Sequence, residues 1–353
     1  MKAEKRIGVA VAGCGQIART RHIPKYEANP HTDIIGFFDA DPTRAEEMAR
    51  QHGGCVYPSF EALLADSRVE AVSICTPNWL HGSHTMQALR AGKDVLCEKP
   101  MASTVAEAEE MIRVQKETGR ILMLGHNQRL VRTHIRAKEL LDAGAIGRIL
   151  SVQTNFKHSG PESWSVERGS TWFFSKSKAN FGVLGDLGSH KLDLVRYLLG
   201  DEIQSVFATL QTLDKRDAEG KLIDLEDNAI CVFKTRSGIP GTMIVSWTNY
   251  GVEDNSTIIY GTNGTMKIFA SELDDIVVDL RDGTSARHHV GRMSTNTNQL
   301  SSGIIDAFAD TILHGTEPPV TGLDGRNTLA CLEAARQSSA VGGWVKVDLK
   351  ERD

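Results

Sequence analysis

The clearest chemical signal in the sequence is a glycine-rich turn near its start, Gly13-Cys14-Gly15-Gln16-Ile17-Ala18. The turn follows an apolar run and opens a helical pattern, which is the G-x-G-x-x-A form of a dinucleotide-binding fingerprint. Gly13 would make the tight turn, Gly15 would let the backbone approach a pyrophosphate, and the small Ala18 would let helix and strand pack closely. Free N–H groups at the helix start, at Gln16 and Ile17, would bind the phosphates. The pattern therefore predicts a dinucleotide site.

A carboxylate, Asp39, follows the fingerprint after roughly 20 residues, at the end of the apolar run 34–38. A carboxylate in this place accepts hydrogen bonds from the adenosine ribose hydroxyls and repels a 2′-phosphate, so NAD is favoured over NADP. Two alternatives stay open. Asp39 or Asp41 could simply cap the helix that begins at Pro42, and the nearby Arg44 could accommodate the phosphate of NADP.

These residues need a sheet to position them, and residues 1–125 have the pattern of one. Apolar runs over 7–12, 34–38, 71–74, 95–97 and 121–124 predict buried strands, and helical patterns over 16–28, 43–52, 79–91 and 104–118 lie between them. This alternation is typical of a doubly wound α/β domain with a parallel sheet, the Rossmann fold. Because ligands bind outside the carboxyl ends of such strands, we expect residues 1–125 to form an NAD(P)-binding domain.

The pattern changes in residues 126–353. Strand-like runs cover 149–156, 203–210, 229–234, 241–247, 256–260, 265–269 and 276–280, and helical patterns cover 130–143, 186–199, 299–314 and 324–340. Asn263-Gly264 between two of these runs is a strong hairpin signal. Consecutive strands without helices between them predict a second α/β domain with a large, mostly antiparallel open sheet. This domain would bind the substrate and form the oligomer.

Composition argues against several classes of protein. A net charge of -5 and the lack of long charge blocks argue against a nucleic-acid partner. No run reaches the roughly 18 apolar residues of a membrane span, and the start does not read as a signal peptide, so we expect a cytoplasmic protein without a membrane partner. The six cysteines are scattered and form no Cys-x-x-Cys pair, which argues against a metal site.

Further motifs follow in a fixed order along the chain. They are Thr76-Pro77-Asn78-x-x-His81 after the third predicted strand, Glu98-Lys99-Pro100 after the fourth, Gly185-Asp186-Leu187-Gly188-Ser189-His190-Lys191-Leu192-Asp193, and Gly322-Leu323-Asp324-Gly325 before the last helix. In order and spacing they resemble the motifs of the Gfo/Idh/MocA oxidoreductases, which include inositol and glucose dehydrogenases. The resemblance extends over nearly the whole chain. It also suggests a constrained, cis Lys99–Pro100 bond.

The resemblance implies that Lys99, Asp186 and His190 are the catalytic residues, acting on one substrate hydroxyl beside the nicotinamide. The spacing suits this, since Asp186 and His190 would lie one turn apart on a helix face. Histidine has the pKa range of a general base, and a lysine ammonium stabilises a developing alkoxide. Which of Lys99 and His190 takes the proton stays open. The alternatives are a surface lysine, a capping aspartate and a core histidine.

Two binding sets follow from the fingerprint, from the resemblance and from a loop of polar and aromatic residues before the predicted helix 186–199. The alternative for this loop is an ordinary one whose tryptophans fill the core. The cofactor set is Gly13, Gly15, Gln16, Ile17, Asp39, Thr76, Pro77, Asn78, His81, Glu98 and Lys99, and the substrate set is Asn155, His158, Trp172, Asp186 and His190. Weaker substrate candidates are Trp164 and residues 247–250, while Arg129 and Asp193 could be ligands or structural ties. Lys157, Arg168, Lys176 and Lys178 could bind a sugar phosphate or face water.

Two departures from the family pattern lie near the expected site. Asn180-Phe181-Gly182-Val183 stands where many relatives carry a glycine-rich run, and Trp172-Phe173 stands where many carry Trp-Arg. We therefore expect an NAD(P)-dependent dehydrogenase acting on a secondary hydroxyl of a sugar, sugar derivative or cyclitol, as a homodimer or homotetramer. The alternatives are a dehydrogenase or reductase of a non-sugar, such as a dihydrodiol or imine, and a non-catalytic NAD(P)-sensing regulator.

Overall fold

The computed structural model describes residues 6–166, 171–291 and 302–351. The chain divides into two compact units, Met1–His126 with Gly303–Arg326, and Asn127–Ser302 with Asn327–Asp353. The predicted domains differ from these units in the late segment 303–326, which returns to the first unit. Two contacts hold it there: Asn29 donates to Asp306 over 2.7 Å, and the Leu124 N–H donates to the Val320 carbonyl over 3.1 Å.

The first unit is built on a six-stranded sheet in the order β3-β2-β1-β4-β5-β6, and every pairing in it is parallel. Numbered along the chain, its strands are β1 (Ile7–Ala12), β2 (Thr32–Phe38), β3 (Cys55–Val56), β4 (Ala71–Ile74), β5 (Asp94–Cys97) and β6 (Leu122–Leu124). The prediction of a doubly wound parallel sheet is confirmed. The two-residue strand β3 was not predicted, because it is too short to leave a periodic pattern.

The helices of this unit are α1 (Ile23–Ala28), α2 (Pro42–His52), α3 (Phe60–Ala65), α4 (His81–Arg90), α5 (Val105–Thr118) and α9 (Ile304–His314). A π-helical segment, Ala18–His22, runs into α1, so residues 16–28 are helical throughout, as predicted. Side-chain caps fix three starts, since Asp41, Ser59 and Thr104 accept N–H groups of α2, α3 and α5. The capping role considered for Asp41 is confirmed.

The second unit contains a nine-stranded sheet in the order β14-β13-β12-β11-β7-β10-β9-β8-β15. Its strands are β7 (Ile149–Lys157), β8 (Ile203–Gln211), β9 (Asn228–Thr235), β10 (Pro240–Ser246), β11 (Thr257–Gly261), β12 (Gly264–Ile268), β13 (Ile276–Leu280), β14 (Ser285–His288) and β15 (Val345–Lys346). β7 and β10 pair in parallel, and the other pairings are antiparallel. The prediction of a mostly antiparallel open sheet is confirmed.

The remaining helices are α6 (Arg132–Asp142), α7 (Lys176–Ala179), α8 (Ser189–Leu199) and α10 (Gly322–Val341). A π-helical segment, Leu184–Gly188, precedes α8, so residues 183–199 form one continuous helix. Strand β7 alternates between buried Thr154 and Phe156 and partly exposed Asn155, which marks one face of the sheet as core. Among the described residues, none of the helices combines the length and hydropathy that a membrane span requires.

Candidate active site

The glycine-rich turn lies at the carboxyl end of β1, where it contacts the loop that follows β4. Gly13 has a φ of 91°, and a Cβ there would lie 2.6 Å from the Cys75 carbonyl carbon and from the Thr76 nitrogen, so only glycine fits. A Cβ on Gly15 would meet nothing within 4 Å, which leaves the space a pyrophosphate needs. The Oγ1 atom of Thr76 is buried and makes no hydrogen bond within the described part of the chain, so it is a suitable group for a bound cofactor.

Asp39 is fixed beside this turn by two backbone hydrogen bonds. Its Oδ2 accepts the Cys14 N–H over 2.7 Å and its Oδ1 accepts the Asp41 N–H over 2.9 Å. Arg44 lies 3.4 Å from Asp41, which provides it with a counter-charge in place of a phosphate. The Cys14 thiol points into the core, and its burial and the Asp39 charge raise its pKa to about 12.

His81 connects two loops at the carboxyl edge of the parallel sheet. Its Nδ1 and Nε2 lie 2.8 Å from the carbonyl oxygens of Pro100 and Thr76, and the side chain is fully buried. Burial lowers the pKa of His81. The structure therefore gives His81 backbone partners on both ring nitrogens, so it supports the loops on which Thr76 and Lys99 lie.

Lys99 follows β5 at the same edge of the sheet, and its peptide bond to Pro100 is cis. The preceding Glu98 turns inward. Its Oε1 lies 2.9 Å from Nε2 of His22, and its Oε2 accepts the Lys99 N–H over 3.2 Å. Glu98 was predicted to contact the cofactor, whereas these contacts direct its carboxylate towards the interior of the first unit.

In the second unit, Asp186 and His190 lie one turn apart on the continuous helix 183–199 and are both largely buried. Asp186 Oδ2 accepts the indole N–H of Trp247 over 3.1 Å. The His190 ring lies 6.0 Å from the Phe156 ring, measured between centroids. The predicted helical placement of both residues is therefore present, and Trp247 fixes the orientation of the Asp186 carboxylate.

Glu226 holds the start of this helix. Its Oε1 accepts the N–H groups of Gly182 and Leu184 over 2.8 and 3.2 Å, and its carbonyl accepts the Val183 N–H over 2.9 Å. A Cβ at Gly182 would lie 2.1 Å from that carbonyl oxygen, so glycine is required. Asn180 has a φ of 63°, a positive value that asparagine tolerates better than most residues. Glu226 was not predicted as a site residue, because its N–H partners lie more than 40 positions away and leave no local pattern.

The predicted substrate residues fall into two groups. His158 is buried, accepts the Gly160 N–H at Nδ1 over 2.9 Å and contacts the Phe156 ring, so it lies on the core side of the sheet with His190. Asn155 lies on the opposite face, where its amide donates to Ser256 over 3.3 Å. The structure therefore does not bring Asn155 together with Asp186 and His190, because neighbouring residues of a strand face opposite ways.

A cluster of aromatic side chains contacts Trp247, the hydrogen-bond partner of Asp186. Trp172 stacks on Phe173 with centroids 3.9 Å apart, and Phe173 meets Trp247 and Trp164 edge-on at 6.3 and 5.4 Å. Trp247 is fully buried. Trp172 and Trp164, which were predicted as substrate residues, thus form one connected group that reaches Asp186 through Trp247.

Other predicted residues have structural partners. Arg129 and Asp193 form a buried ion pair with two contacts of 2.6 and 2.7 Å, so within the second unit they tie the turn before α6 to α8. Lys157 lies 3.2 Å from Asp254. Lys176 and Lys178 lie exposed on α7, and Arg168 lies outside the described residues.

Comparison with known proteins agrees with both halves of this arrangement. The family model described as "Oxidoreductase family, NAD-binding Rossmann fold" matches residues 7–126, and the "GFO/IDH/MocA C-terminal domain" matches residues 134–267. The chain belongs to the Gfo/Idh/MocA family. The predicted family and the predicted NAD(P)-dependent oxidoreductase are therefore confirmed.

Relatives within the Gfo/Idh/MocA family cover most of the chain. The levoglucosan dehydrogenase of Pseudarthrobacter phenanthrenivorans is 31% identical, over 88% of each chain. The myo-inositol 2-dehydrogenase of Thermotoga maritima is 26% identical, over 96% of this chain and 98% of that protein. A solved structure of levoglucosan dehydrogenase with NADH and L-sorbose superimposes with a TM-score of 0.87 at 26% identity, over 98% of this chain and all of that one.

The contacts of Glu226 generate a first prediction. We expect Glu226→Ala to lower the free energy of unfolding by about 1–2 kcal/mol, because two N–H groups at the helix start lose their acceptor. Urea denaturation followed by circular dichroism measures this. Glu226→Gln keeps an acceptor oxygen and should stay closer to the wild type, and Glu219→Ala, in an exposed turn, should have little effect. An unchanged unfolding midpoint in Glu226→Ala would show that these hydrogen bonds do not stabilise the helix.

Proposed function

We propose that this protein is a dehydrogenase that oxidises a secondary hydroxyl group of a sugar, sugar derivative or cyclitol with NAD. The observation that carries the proposal is the buried Asp186/His190 pair on one helical segment, with Asp186 oriented by Trp247. Lys99, at the carboxyl edge of the NAD-binding sheet, supplies the cation that alkoxide formation needs. The levoglucosan and myo-inositol dehydrogenases among the relatives support this class of substrate.

The first unit has the residues that NAD requires. Gly13 and Gly15 leave room for the pyrophosphate, and the buried Thr76 hydroxyl lies in the neighbouring loop. Asp39 would receive the adenosine ribose, as the fingerprint predicts. When bound, NAD supplies the hydride acceptor.

The three catalytic residues act differently in the proposed reaction. His190 accepts the hydroxyl proton, with its ring held against Phe156. Asp186, fixed by Trp247, orients the imidazole or a neighbouring hydroxyl group. The Lys99 ammonium stabilises the negative charge that develops on the oxygen.

The aromatic cluster favours a ring-shaped, unphosphorylated substrate. The faces of Trp172 and Trp164 offer apolar surfaces on which the C–H groups of a sugar ring pack. The phosphate-binding candidate Lys157 already has Asp254 as its partner. We therefore propose a neutral polyol ring as the substrate.

A substrate panel tests this function. We expect NADH formation, followed by absorbance, when the protein is mixed with NAD and levoglucosan, inositols or aldopyranoses. Sugar phosphates should be poorer substrates. The absence of turnover across the panel with both NAD and NADP would refute the proposed function.

The catalytic roles generate a prediction for two variants. We expect Lys99→Ala and His190→Ala to lower kcat by about 100-fold or more, because each removes a group that acts on the reacting hydroxyl. NADH binding, measured by fluorescence titration, should persist. Lys116→Ala and His314→Ala alter exposed residues and should keep wild-type turnover. Near wild-type kcat in either catalytic variant would contradict its role.

The position of Asp39 generates a prediction about cofactor choice. We expect Asp39→Ala to raise the KM for NAD about tenfold and to improve the use of NADP, since the carboxylate that repels the 2′-phosphate is lost. Asp41→Ala serves as the matched control, because it removes the cap of α2 and should affect stability without changing the NADP/NAD ratio of kcat/KM. If the NADP/NAD ratio of kcat/KM is unchanged in Asp39→Ala, Asp39 stabilises the turn but does not determine cofactor choice.

The outer face of the nine-stranded sheet supports the proposed self-association. Apolar side chains remain exposed there, with exposed fractions of 38% for Phe207, 49% for Ile230 and 37% for Val232. We propose that a second copy of the chain covers this face, giving a dimer or a tetramer. Size-exclusion chromatography with light scattering should show an oligomer, and Ile230→Lys should weaken it more than Gln211→Lys at the strand end. A monomeric wild type would refute this.

A further inference from the structure

A buried lysine lies in the second unit, and no step of the proposed reaction uses it. Lys215, in the segment between β8 and β9, is only 4% exposed, which is unusual for a lysine unless its charge is paired. Its Nζ donates to the Ser159 carbonyl over 2.6 Å and to the Glu162 carboxylate. Both acceptors belong to the loop after β7, residues 158–165, so Lys215 connects two segments that are distant in sequence.

The backbone of Lys215 is itself held in place. Asp227 is fully buried, and its carboxylate accepts three successive backbone N–H groups, those of residues 213–215, each over 2.8 Å. The Asp227 carbonyl accepts the Trp247 N–H over 2.8 Å. Because Trp247 also donates to Asp186, one aspartate anchors both the lysine and the residue that orients the catalytic carboxylate.

The ring of Tyr250 covers the Lys215 ammonium. Nζ lies 4.8 Å from the centre of this ring, within the range of a cation–π interaction. The Tyr250 hydroxyl donates to Asp214, the residue before Lys215, which holds the ring in position. Two oxygen acceptors and one aromatic face therefore surround a charge that the fold removes from water.

The loop that Lys215 holds begins with His158, a predicted substrate residue. Gly160 has a φ of 100°, and a Cβ there would lie 2.9 Å from Lys215 Cε, so the lysine packs directly against the Gly160 backbone. The Gly160 N–H donates to His158 Nδ1 over 2.9 Å, so a neutral His158 ring carries its proton on Nε2. His158 lies beside the catalytic His190, because both rings contact Phe156.

We propose that Lys215 is a positioning residue, which holds the loop 158–165 so that His158 keeps the ring orientation and the tautomer with which it binds a hydroxyl group of the polyol. Lys215 acts through the backbone of Ser159 and Gly160. The inference rests on the proposed function for the identity of the ligand, whereas the contacts between Lys215 and the loop are independent of it.

Hydrogen exchange tests the proposal without a substrate. Mass spectrometry of the full-length protein follows the peptide 158–165, in which the Trp164 and Ser165 N–H groups donate to the Pro161 carbonyl. We expect Lys215→Met to accelerate exchange in this peptide about tenfold, because the loop loses a hydrogen-bonded charge and opens more often. Lys221→Met removes an exposed lysine from the same segment between β8 and β9 and should leave exchange unchanged.

Further variants separate the contact from general folding. Lys215→Arg keeps a cation that can donate to both acceptors, so its exchange should stay closer to that of the wild type. Glu162→Lys places a like charge beside Lys215 at a partly exposed position, and it should accelerate exchange even if Lys215→Met does not fold. Glu219→Lys makes the same charge change at an exposed position between β8 and β9 and should have no effect.

Kinetics show whether the loop acts on the substrate. We expect Lys215→Met to raise the KM for the best polyol about tenfold while kcat stays within about twofold of the wild type, because His158 contributes to binding and not to hydride transfer. NADH affinity, measured by fluorescence titration, should be unchanged. Lys215→Arg should restore most of the polyol affinity.

The two readouts have distinct failures. Unchanged exchange in a folded Lys215→Met protein or in Glu162→Lys overturns the proposal. Faster exchange with an unchanged KM also overturns it, because the loop would then not position a substrate residue. Faster exchange in a protein whose wild type oxidises none of the polyols would support the contact of Lys215 with the loop and refute the proposed function, so the two failures can be told apart.

Discussion

The direct contact between the backbone of Gly13 and the peptide that joins Cys75 to Thr76 is the constraint on which the first unit depends. It brings the end of β1 against the loop after β4 with no side chain between them. The first helix can therefore start immediately after the turn, with its N–H groups at the sheet edge. Asp39 directly follows the neighbouring strand β2. It accepts the Cys14 N–H and so holds the turn from the other side. His81 then ties the Thr76 loop to the Lys99–Pro100 loop, so Lys99 has a defined place on the same edge.

Most of the framework could be predicted because it depends on local patterns. The apolar runs and the glycine turn identify the parallel sheet, and the succession of strands identifies the second one. Strand β3 and helix α3 were not predicted, because they are too short to show a recognisable hydrophobic period. The position of Asn155 was within reach of sequence reasoning, because a core-facing Phe156 places its neighbour on the opposite face.

The supporting residues could not be predicted in the same way. Glu226 binds N–H groups more than 40 positions away, and His22 meets Ser73 and Glu98 at separations of 51 and 76 residues. No sequence pattern indicates that a histidine in a helix and a serine in an apolar run will contact each other, because only the fold brings them together. The π-helical segments that include His22 and Asp186 are likewise invisible in the sequence, although such segments often accompany functional sites.

Cys14 lies between the two glycines of the phosphate-binding turn, a position in which a reactive thiol could make cofactor binding sensitive to oxidation. Its side chain instead packs with Val11, Ala18 and Phe37, and its high pKa keeps it protonated. Thiolate is the reactive form of cysteine, so this buried and protonated thiol is a poor nucleophile. The middle position of the turn therefore requires a small buried side chain, and a small apolar residue could replace the cysteine.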